Sequence, residues 1–206
     1  GDPSFAARFN NGDYQKSLEP IVAAVESAGV KRVEGDLVGD ASFFRGPPFG
    51  AGWTWDDLQY YYGAEVSALT VDDNVVDLVF KPGSSLGEAC SFTASPVTSF
   101  LTFVNRTKTG AKDSPRQIDL YRLVGKNIVV VSGQLPLRGS NHLDAVTVPD
   151  PAVWFVTLLK EALARRGISI AGKVRSIDWL ARETNPAEVS KRMELGSVAS
   201  RPLRSS

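Results

Sequence analysis

The sequence predicts an α+β fold, in which a small helix/strand subdomain is followed by a mainly β subdomain with one strong C-terminal helix. Three observations support this prediction. A helical pattern near the N-terminus is followed by a β-prone run, short β-prone segments and turn residues fill the middle of the chain, and a long helical pattern follows residue 150. The chain has 206 residues, of which 43% are hydrophobic and 22% charged, as in an ordinary globular protein of one large or two small domains.

A helix and a strand are the first predicted elements. Apolar residues recur at helical spacing within Ser17–Ala28, Pro20 stands in the predicted first turn, and Gly29 ends the helix. A short β-prone run then ends at Asp40.

Residues 41–63 are predicted to form a long aromatic loop, because glycine and proline interrupt every regular pattern there. Such a segment is usually functional or joins two subdomains. We therefore predict a small α/β subdomain over residues 1–63, a mainly β subdomain over residues 64–185, and a lead-out over residues 186–206.

The middle of the chain is predicted to be mostly β. Val66–Val71 and Val75–Phe80 are predicted to form a hairpin across the turn residues 72–74. Further strands are predicted at Ser99–Val104, Gln117–Leu123, Asn127–Ser132 and Ile168–Val174.

The strongest local signal predicts a helix near residues 151–166. Asp150 is the predicted N-cap, Pro151 occupies the first helical position, and Gly167 follows two arginines at the end.

Charge and cysteine content exclude several classes of protein. Lys plus Arg and Asp plus Glu both number 23, so no basic excess favours binding to nucleic acid or to an anionic membrane. No apolar run approaches the roughly 20 residues that a membrane span requires. Cys90 is the only cysteine, which excludes an intrachain disulfide, a four-cysteine zinc site and a C-x-x-C redox pair.

Catalytic, metal and cofactor motifs are weak. Any Ser-His-Asp or Cys-His catalyst would have to use His142, which lies in a polar segment and is interpreted as a surface or capping residue. Neither His142 nor Cys90 has a partner at zinc-ligand spacing, and no glycine-rich segment completes a nucleotide-binding motif. The sequence therefore predicts no metal site and no cofactor.

Asp40 is the acidic residue that turn chemistry explains least. Residues 72–73 fit a turn and residues 56–57 fit a helix cap. Asp40 instead ends a predicted strand, where side chains become accessible to ligands. The alternative is that Asp40 caps the turn into residues 41–42.

Two further motifs have a functional and a structural interpretation. Lys108–Gly110 matches the K-T-G triplet of serine β-lactam-binding enzymes. However, no serine in the chain is followed three places on by lysine or two places on by asparagine, so we predict a coincidental triplet in a mobile loop. Trp53 and Trp55 could present one aromatic face to sugar rings or bases, or could pack between subdomains.

Several phrases in a fixed order resemble the D-alanyl-D-alanine carboxypeptidase/endopeptidase family of class C low-molecular-mass penicillin-binding proteins. The resemblance covers essentially the whole chain, although no single phrase is diagnostic. The phrases are GDPS at residues 1–4, GDLVGDASFF at 35–44, GAGWTWDD at 50–57, YYGAEVSAL at 61–69, DN at 73–74 with PG at 82–83, VPDP at 148–151, GI at 167–168 and AG at 171–172.

This resemblance implies that the chain is the two-domain insert between the S-x-x-K and S-x-N motifs of a serine-type peptidase. The parent would be a periplasmic or cell-envelope enzyme acting on peptidoglycan stem peptides, while this chain, without catalytic residues, would shape substrate access and be inert alone. Asp40 and Phe44 would meet the amino end of a diaminopimelate-type side chain, since a carboxylate attracts an ammonium group. The expected partners are the stem peptide and the missing catalytic domain. The alternative is a non-catalytic peptidoglycan- or partner-binding module that uses the Trp53/Trp55 face.

Overall fold

The computed structural model describes residues 3–184 and confirms the predicted α+β class. Three α-helices and eleven strands follow one another within that range. In chain order they are α1 (Gln15–Ser27), β1 (Arg32–Val33), β2 (Leu37–Asp40), β3 (Val75–Lys81), β4 (Ser91–Ser95), β5 (Thr102–Asn105), β6 (Lys108–Gly110), β7 (Gln117–Arg122), β8 (Ile128–Pro136), β9 (His142–Thr147), α2 (Pro151–Arg165), β10 (Ser169–Ile170), β11 (Val174–Ile177) and α3 (Trp179–Thr184).

The chain forms two compact units that differ from the predicted continuous division. Among the described residues, the first unit comprises residues 3–48, 66–73 and 150–184, and the second comprises Phe49–Glu65 and Asn74–Pro149. The predicted boundary at Gly63 falls inside the second unit, and the helix predicted near residues 151–166 joins the N-terminal segment instead of the β segment. Strand pairing is the reason, since β10 and β11 return to pair with β1 and β2. The lead-out predicted over residues 186–206 lies outside the described residues.

Both predicted helices of the first unit are confirmed. The side chains of Leu18 and Val22 on α1 are buried, and Gly29 follows the helix with a φ of +76°. Helix α1 begins at Gln15, so Pro20 lies in the second turn, on the exposed side, and not in the first turn as predicted.

Helix α2 begins and ends as its local signals predict. The Asp150 carboxylate accepts a hydrogen bond from the Val153 backbone N–H at 3.1 Å, and Pro151 follows this N-cap. Gly167 has the positive φ, +74°, that suits the residue after a helix. The buried face of α2 consists mainly of large apolar side chains, among them Trp154, Phe155, Leu158, Leu159 and Leu163.

Two short parallel pairs complete the first unit. Strand β1 pairs with β10, and β2 pairs with β11 so that Asp40 lies opposite Ile177. The single strand predicted over residues 168–174 is therefore two strands. A side chain at Gly39 would lie 2.8 Å from the Ala152 carbonyl oxygen, so glycine allows β2 to run close to α2.

The second unit contains two sheets. Strands β4, β3 and β9 form an antiparallel sheet in that order. In the other sheet, β7 pairs with one edge of β8, while β5 and then β6 pair with its opposite edge. Alternating buried residues along β3 and β7 form much of the core, including Val76, Leu78, Phe80, Ile118 and Leu120.

The hairpin predicted for Val66–Val71 with Val75–Phe80 is wrong. Residues 66–71 form no strand, and the Val66 backbone N–H donates to the Pro48 carbonyl oxygen at 2.8 Å. Strand β3 pairs with β4 and β9 instead. The turn at residues 72–74 is confirmed, and all three residues have φ values between +51° and +59°.

Lys108–Gly110 is strand β6 and not the predicted loop. It pairs in parallel with Gln134–Pro136, the part of β8 beyond the predicted end of that strand. The Lys108 side chain is exposed, whereas the buried Thr109 hydroxyl accepts a hydrogen bond from the Gly83 backbone N–H at 2.7 Å. The triplet thus holds the loop after β3.

No helix within residues 3–184 is long and apolar enough to cross a membrane. Over the same range no group of three or more His, Cys, Asp or Glu residues could hold a metal ion.

Candidate functional site

The candidate site lies at the carboxyl end of the parallel pair β2 and β11. Residues 40–44, here called the Asp40 loop, leave β2 at that end, and α3 follows β11 there. The Ala41 backbone N–H donates to the Ile177 carbonyl oxygen at 2.8 Å, which joins the two chain segments. Carboxyl ends of parallel strands are common ligand sites, because the loops that follow adjacent strands converge there.

The Asp40 side chain has contacts on both carboxylate oxygens. Oδ1 accepts a hydrogen bond from the Ser42 backbone N–H at 3.0 Å, so Asp40 does cap the turn after β2. Oδ2 lies 3.3 Å from Nη1 of Arg182 on α3. The same nitrogen donates to the Ser42 hydroxyl at 2.9 Å. The carboxylate is therefore fixed in orientation and already faces a cation.

Two phenylalanines form the outer part of the Asp40 loop. Phe43 and Phe44 meet edge to face with ring centroids 5.5 Å apart, and 83% of Phe43 and 40% of Phe44 are exposed. Exposed aromatic rings of this kind offer a flat apolar surface beside the carboxylate.

Helix α3 is held against the segment after the Asp40 loop. The Trp179 indole N–H donates to the Gly46 carbonyl oxygen at 3.2 Å, and Arg45 forms an ion pair with Glu183 at 3.0 Å. Asp178 accepts a hydrogen bond from the Ala181 backbone N–H at 2.7 Å and caps the short helix. These contacts bring Arg182 to Asp40.

Asp36 marks the opposite end of β2. Its carboxylate accepts hydrogen bonds from the Lys173 backbone N–H at 2.9 Å and from Nε of Arg175 at 3.0 Å. These bonds hold the pKa of the Asp36 carboxyl below its usual value. The Asp36–Arg175 pair thus resembles the Asp40–Arg182 pair chemically but lies away from the Asp40 loop.

Trp53 and Trp55 do not share one exposed face. Trp53 is half-buried and its indole lies over Gly50, where an added Cβ would be 2.8 Å from the ring, whereas Trp55 is exposed. Asp57, predicted as a cap, accepts hydrogen bonds from the Thr54 backbone N–H and hydroxyl at 2.8 and 2.9 Å. These bonds lower the pKa of Asp57.

The other sequence candidates have structural roles. His142 lies on strand β9 rather than in a loop, with Nε2 3.6 Å from an Asp144 carboxylate oxygen. Cys90 is buried, and Asp72 and Asp73 bind the N-terminal turn through the Ala7 backbone N–H and the Arg8 side chain.

The second unit contains an exposed tyrosine cluster within the segment predicted to form a long aromatic loop. Tyr60 and Tyr62 stack with ring centroids 5.6 Å apart, Tyr61 meets Tyr62 edge-on, and all three are exposed. In the segment just before them, the Leu58 carbonyl oxygen accepts a hydrogen bond at 2.7 Å from the buried Arg122 side chain. Burial lowers the pKa of the Arg122 guanidinium.

Arg182 and Ser42 are the site residues that sequence reasoning missed. Arg182 is 142 positions from Asp40 in the sequence, and no local pattern connects them. Only the register between β2 and β11 indicates that the loops after these strands meet.

Fold and site together define a two-unit α+β protein with a candidate ligand loop at the ends of parallel strands. The chain belongs to the D-Ala-D-Ala carboxypeptidase 3 (S13) family, whose profile matches residues 1–204. This finding confirms the family resemblance.

Individual relatives agree with this family. The chain is 31% identical, over 84% of its length, to a D-alanyl-D-alanine carboxypeptidase from Actinomadura sp. (strain R39). It is 23% identical, over 76% of its length, to the D-alanyl-D-alanine carboxypeptidase DacB from Haemophilus influenzae. The crystal structure of penicillin binding protein 4 (dacB) from Haemophilus influenzae has a similar fold, with a TM-score of 0.66, 22% identity, and coverage of 79% of this chain and 36% of that one. The chain spans about a third, 32–33%, of the two curated relatives.

Proposed function

We propose that this chain is the insert region of a serine-type D-alanyl-D-alanine carboxypeptidase/endopeptidase that acts on peptidoglycan stem peptides in the periplasm or cell envelope. In this proposal the chain shapes substrate access, and Asp40 and Phe44 contact the cationic end of a diaminopimelate-type side chain. Family membership, the third of the relatives' length that the chain spans, and the absence of S-x-x-K and S-x-N from its sequence support the insert assignment.

The observation that carries the site proposal is the orientation of the Asp40 carboxylate. Its Oδ1 is engaged by the turn, while its Oδ2 faces the Arg182 guanidinium at 3.3 Å. A position that accommodates one cation has the charge and hydrogen-bonding geometry to accept another. Phe44 supplies an apolar surface along which the methylene stem of a long side chain can lie.

We expect the purified chain to form no covalent adduct with benzylpenicillin. Acylation requires an activated serine, and the sequence has no S-x-x-K arrangement in which a lysine could activate one. Intact-mass analysis after incubation measures this, with the full-length parent enzyme as a positive control that gains one penicilloyl group. A stoichiometric mass increase mapped to a serine of this chain would contradict the proposal.

In the full-length parent, Asp40→Asn should lower kcat/KM for peptides with an ammonium-ended third side chain by roughly ten- to a hundred-fold, the effect of losing a charged hydrogen bond. Asparagine keeps an oxygen that can accept from the Ser42 N–H, so the turn is retained. A peptide whose side-chain amine is acetylated should be hydrolysed at nearly the wild-type rate. Asp36→Asn is the matched control, since it removes the same charge from the other end of β2. A change of the same size on both peptides, including no change on either, would contradict recognition of the ammonium group by Asp40.

The second candidate function is a non-catalytic peptidoglycan- or partner-binding module. Its supporting observation is the exposed cluster of Tyr60, Tyr61 and Tyr62, because exposed aromatic residues are frequent in binding surfaces. The penicillin experiment on the full-length parent separates the two functions, since a non-catalytic module would acquire no adduct.

A further inference from the structure

We propose that Arg182 occupies, in the unliganded chain, the position that a cationic ligand group takes against Asp40, and so sets the cation affinity of the Asp40 loop. This inference rests on the proposed function of Asp40. It assigns to α3 a competing role at the same site: the ligand must displace an internal cation before it binds.

The first support is the position of the guanidinium. Arg182 Nη1 bridges Oδ2 of Asp40 at 3.3 Å and the Ser42 hydroxyl at 2.9 Å. An ammonium group at this carboxylate would donate hydrogen bonds to the same two acceptors, Asp40 Oδ2 and the Ser42 hydroxyl oxygen, because it too has several N–H donors and a positive charge. Arg182 and a ligand cation therefore compete for one place.

The second support is the difference in exposure between the partners. The Asp40 side chain is 23% exposed, whereas that of Arg182 is 48% exposed. The nearby and more exposed positive charge lowers the attraction of the loop for cations. The half-exposed guanidinium can also move into water at little cost, since exposed ion pairs contribute little stability.

The third support is that contacts independent of Asp40 hold α3 in place. Trp179 donates to the Gly46 carbonyl oxygen, Glu183 pairs with Arg45, and Asp178 caps the helix. Displacing the Arg182 side chain from Asp40 therefore leaves other contacts that hold the helix. The expected movement is a side-chain rotation rather than release of the segment.

When an internal cation must first be displaced, only part of the molecules can bind the ligand at any moment. The apparent Kd then equals the intrinsic Kd divided by the fraction of molecules in which the internal cation is displaced. We expect Arg182→Gln in the full-length parent to lower KM for a peptide with an ammonium-ended third side chain by about two- to five-fold, because an exposed ion pair favours the occupied site only moderately. The turnover number kcat should change little. KM for the acetylated peptide should stay within about two-fold of wild type, since that peptide does not need the carboxylate.

Arg175→Gln provides the matched control. Arg175 forms the corresponding ion pair with Asp36, so this change removes the same charge from the same pair of strands, away from the Asp40 loop. It should leave the preference between the two peptides unchanged. Melting temperatures of all variants show whether any kinetic change comes from lost stability.

The outcomes separate this inference from the function on which it rests. If Asp40→Asn is selective for the ammonium peptide and Arg182→Gln lowers its KM selectively, both are supported. A second outcome is that Asp40→Asn impairs only hydrolysis of the ammonium-ended peptide, while Arg182→Gln raises KM for that peptide or leaves it unchanged. The proposed competition is then overturned, and Arg182 either orients Asp40 or has no role in binding. If Asp40→Asn shows no selectivity, the proposed role of Asp40 fails and the inference fails with it.

Discussion

Replacing Arg122 by methionine should lower the free energy of unfolding of the second unit by roughly 2–4 kcal/mol, since it removes hydrogen bonds made by a buried charged group. Arg122 is only 6% exposed. Its guanidinium donates to the Leu58 carbonyl oxygen at 2.7 Å and to the Thr147 hydroxyl at 3.3 Å. Methionine fills part of the volume but donates no hydrogen bond, so the segment just before the tyrosine cluster loses an attachment to β7.

Arg116→Met is the control for this prediction. Arg116 also donates to a hydroxyl and a carbonyl oxygen, those of Ser140 and Asn141, but it is exposed. Its loss should therefore cost less than about 1 kcal/mol, because water replaces those bonds. Urea denaturation measures both variants, and faster amide exchange at residues 58–62 should accompany Arg122→Met. Equal destabilisation by the two variants would contradict the role of Arg122 as an internal anchor.

Replacing Gly133 by alanine should destabilise the second unit by roughly 3 kcal/mol or more, the combined cost of a forced backbone shift and an unfavourable φ. Gly133 lies in β8 with a φ of +100°, opposite Ile118 of β7. A Cβ atom there would stand 2.3 Å from the Gln117 carbonyl oxygen. Because that oxygen belongs to the backbone of the paired strand, the two strands would have to separate.

Gly125→Ala separates the two causes. Gly125 lies in the turn between β7 and β8 with a φ of +67°, but no atom lies within 4 Å of an added Cβ. Its substitution should lower the free energy of unfolding by only about 1–2 kcal/mol, the cost of placing a non-glycine residue in a left-handed backbone conformation. Thermal or urea unfolding of both variants gives the difference, which measures the close approach of Gln117. If Gly133→Ala lowers the free energy of unfolding no more than Gly125→Ala does, strands β7 and β8 can move apart without measurable loss of stability.

The elements that were predicted correctly are those whose signals are local. Helix α2 has its N-cap, its proline, its apolar face and its terminal glycine within 18 consecutive residues, Asp150 to Gly167. Strands β7 and β8, predicted at Gln117–Leu123 and Asn127–Ser132, follow each other across a short turn at Gly125. In these cases neighbouring residues supply the interactions that stabilise the structure, so the pattern can be recognised without the fold.

The wrong predictions concern interactions between distant segments. Residues 66–71 have β-prone composition but form no strand, while Lys108–Gly110 has a polar composition and pairs with the extended end of β8. The continuous division at Gly63 differs from the observed units for the same reason, since strands near residue 170 pair with strands near residue 35. Strand formation needs a partner edge, and composition does not identify that partner.

For the candidate site, the order of residues alone indicates that a carboxylate stands where a strand ends and a loop begins, and that Phe44 follows it closely. The family, too, could be recognised from ordered phrases, and the profile match confirms it. The contact of Arg182 with Asp40 and Ser42 is visible only in the folded chain. Parallel strands need a long connection between them, so residues 142 positions apart meet only after the intervening chain has folded.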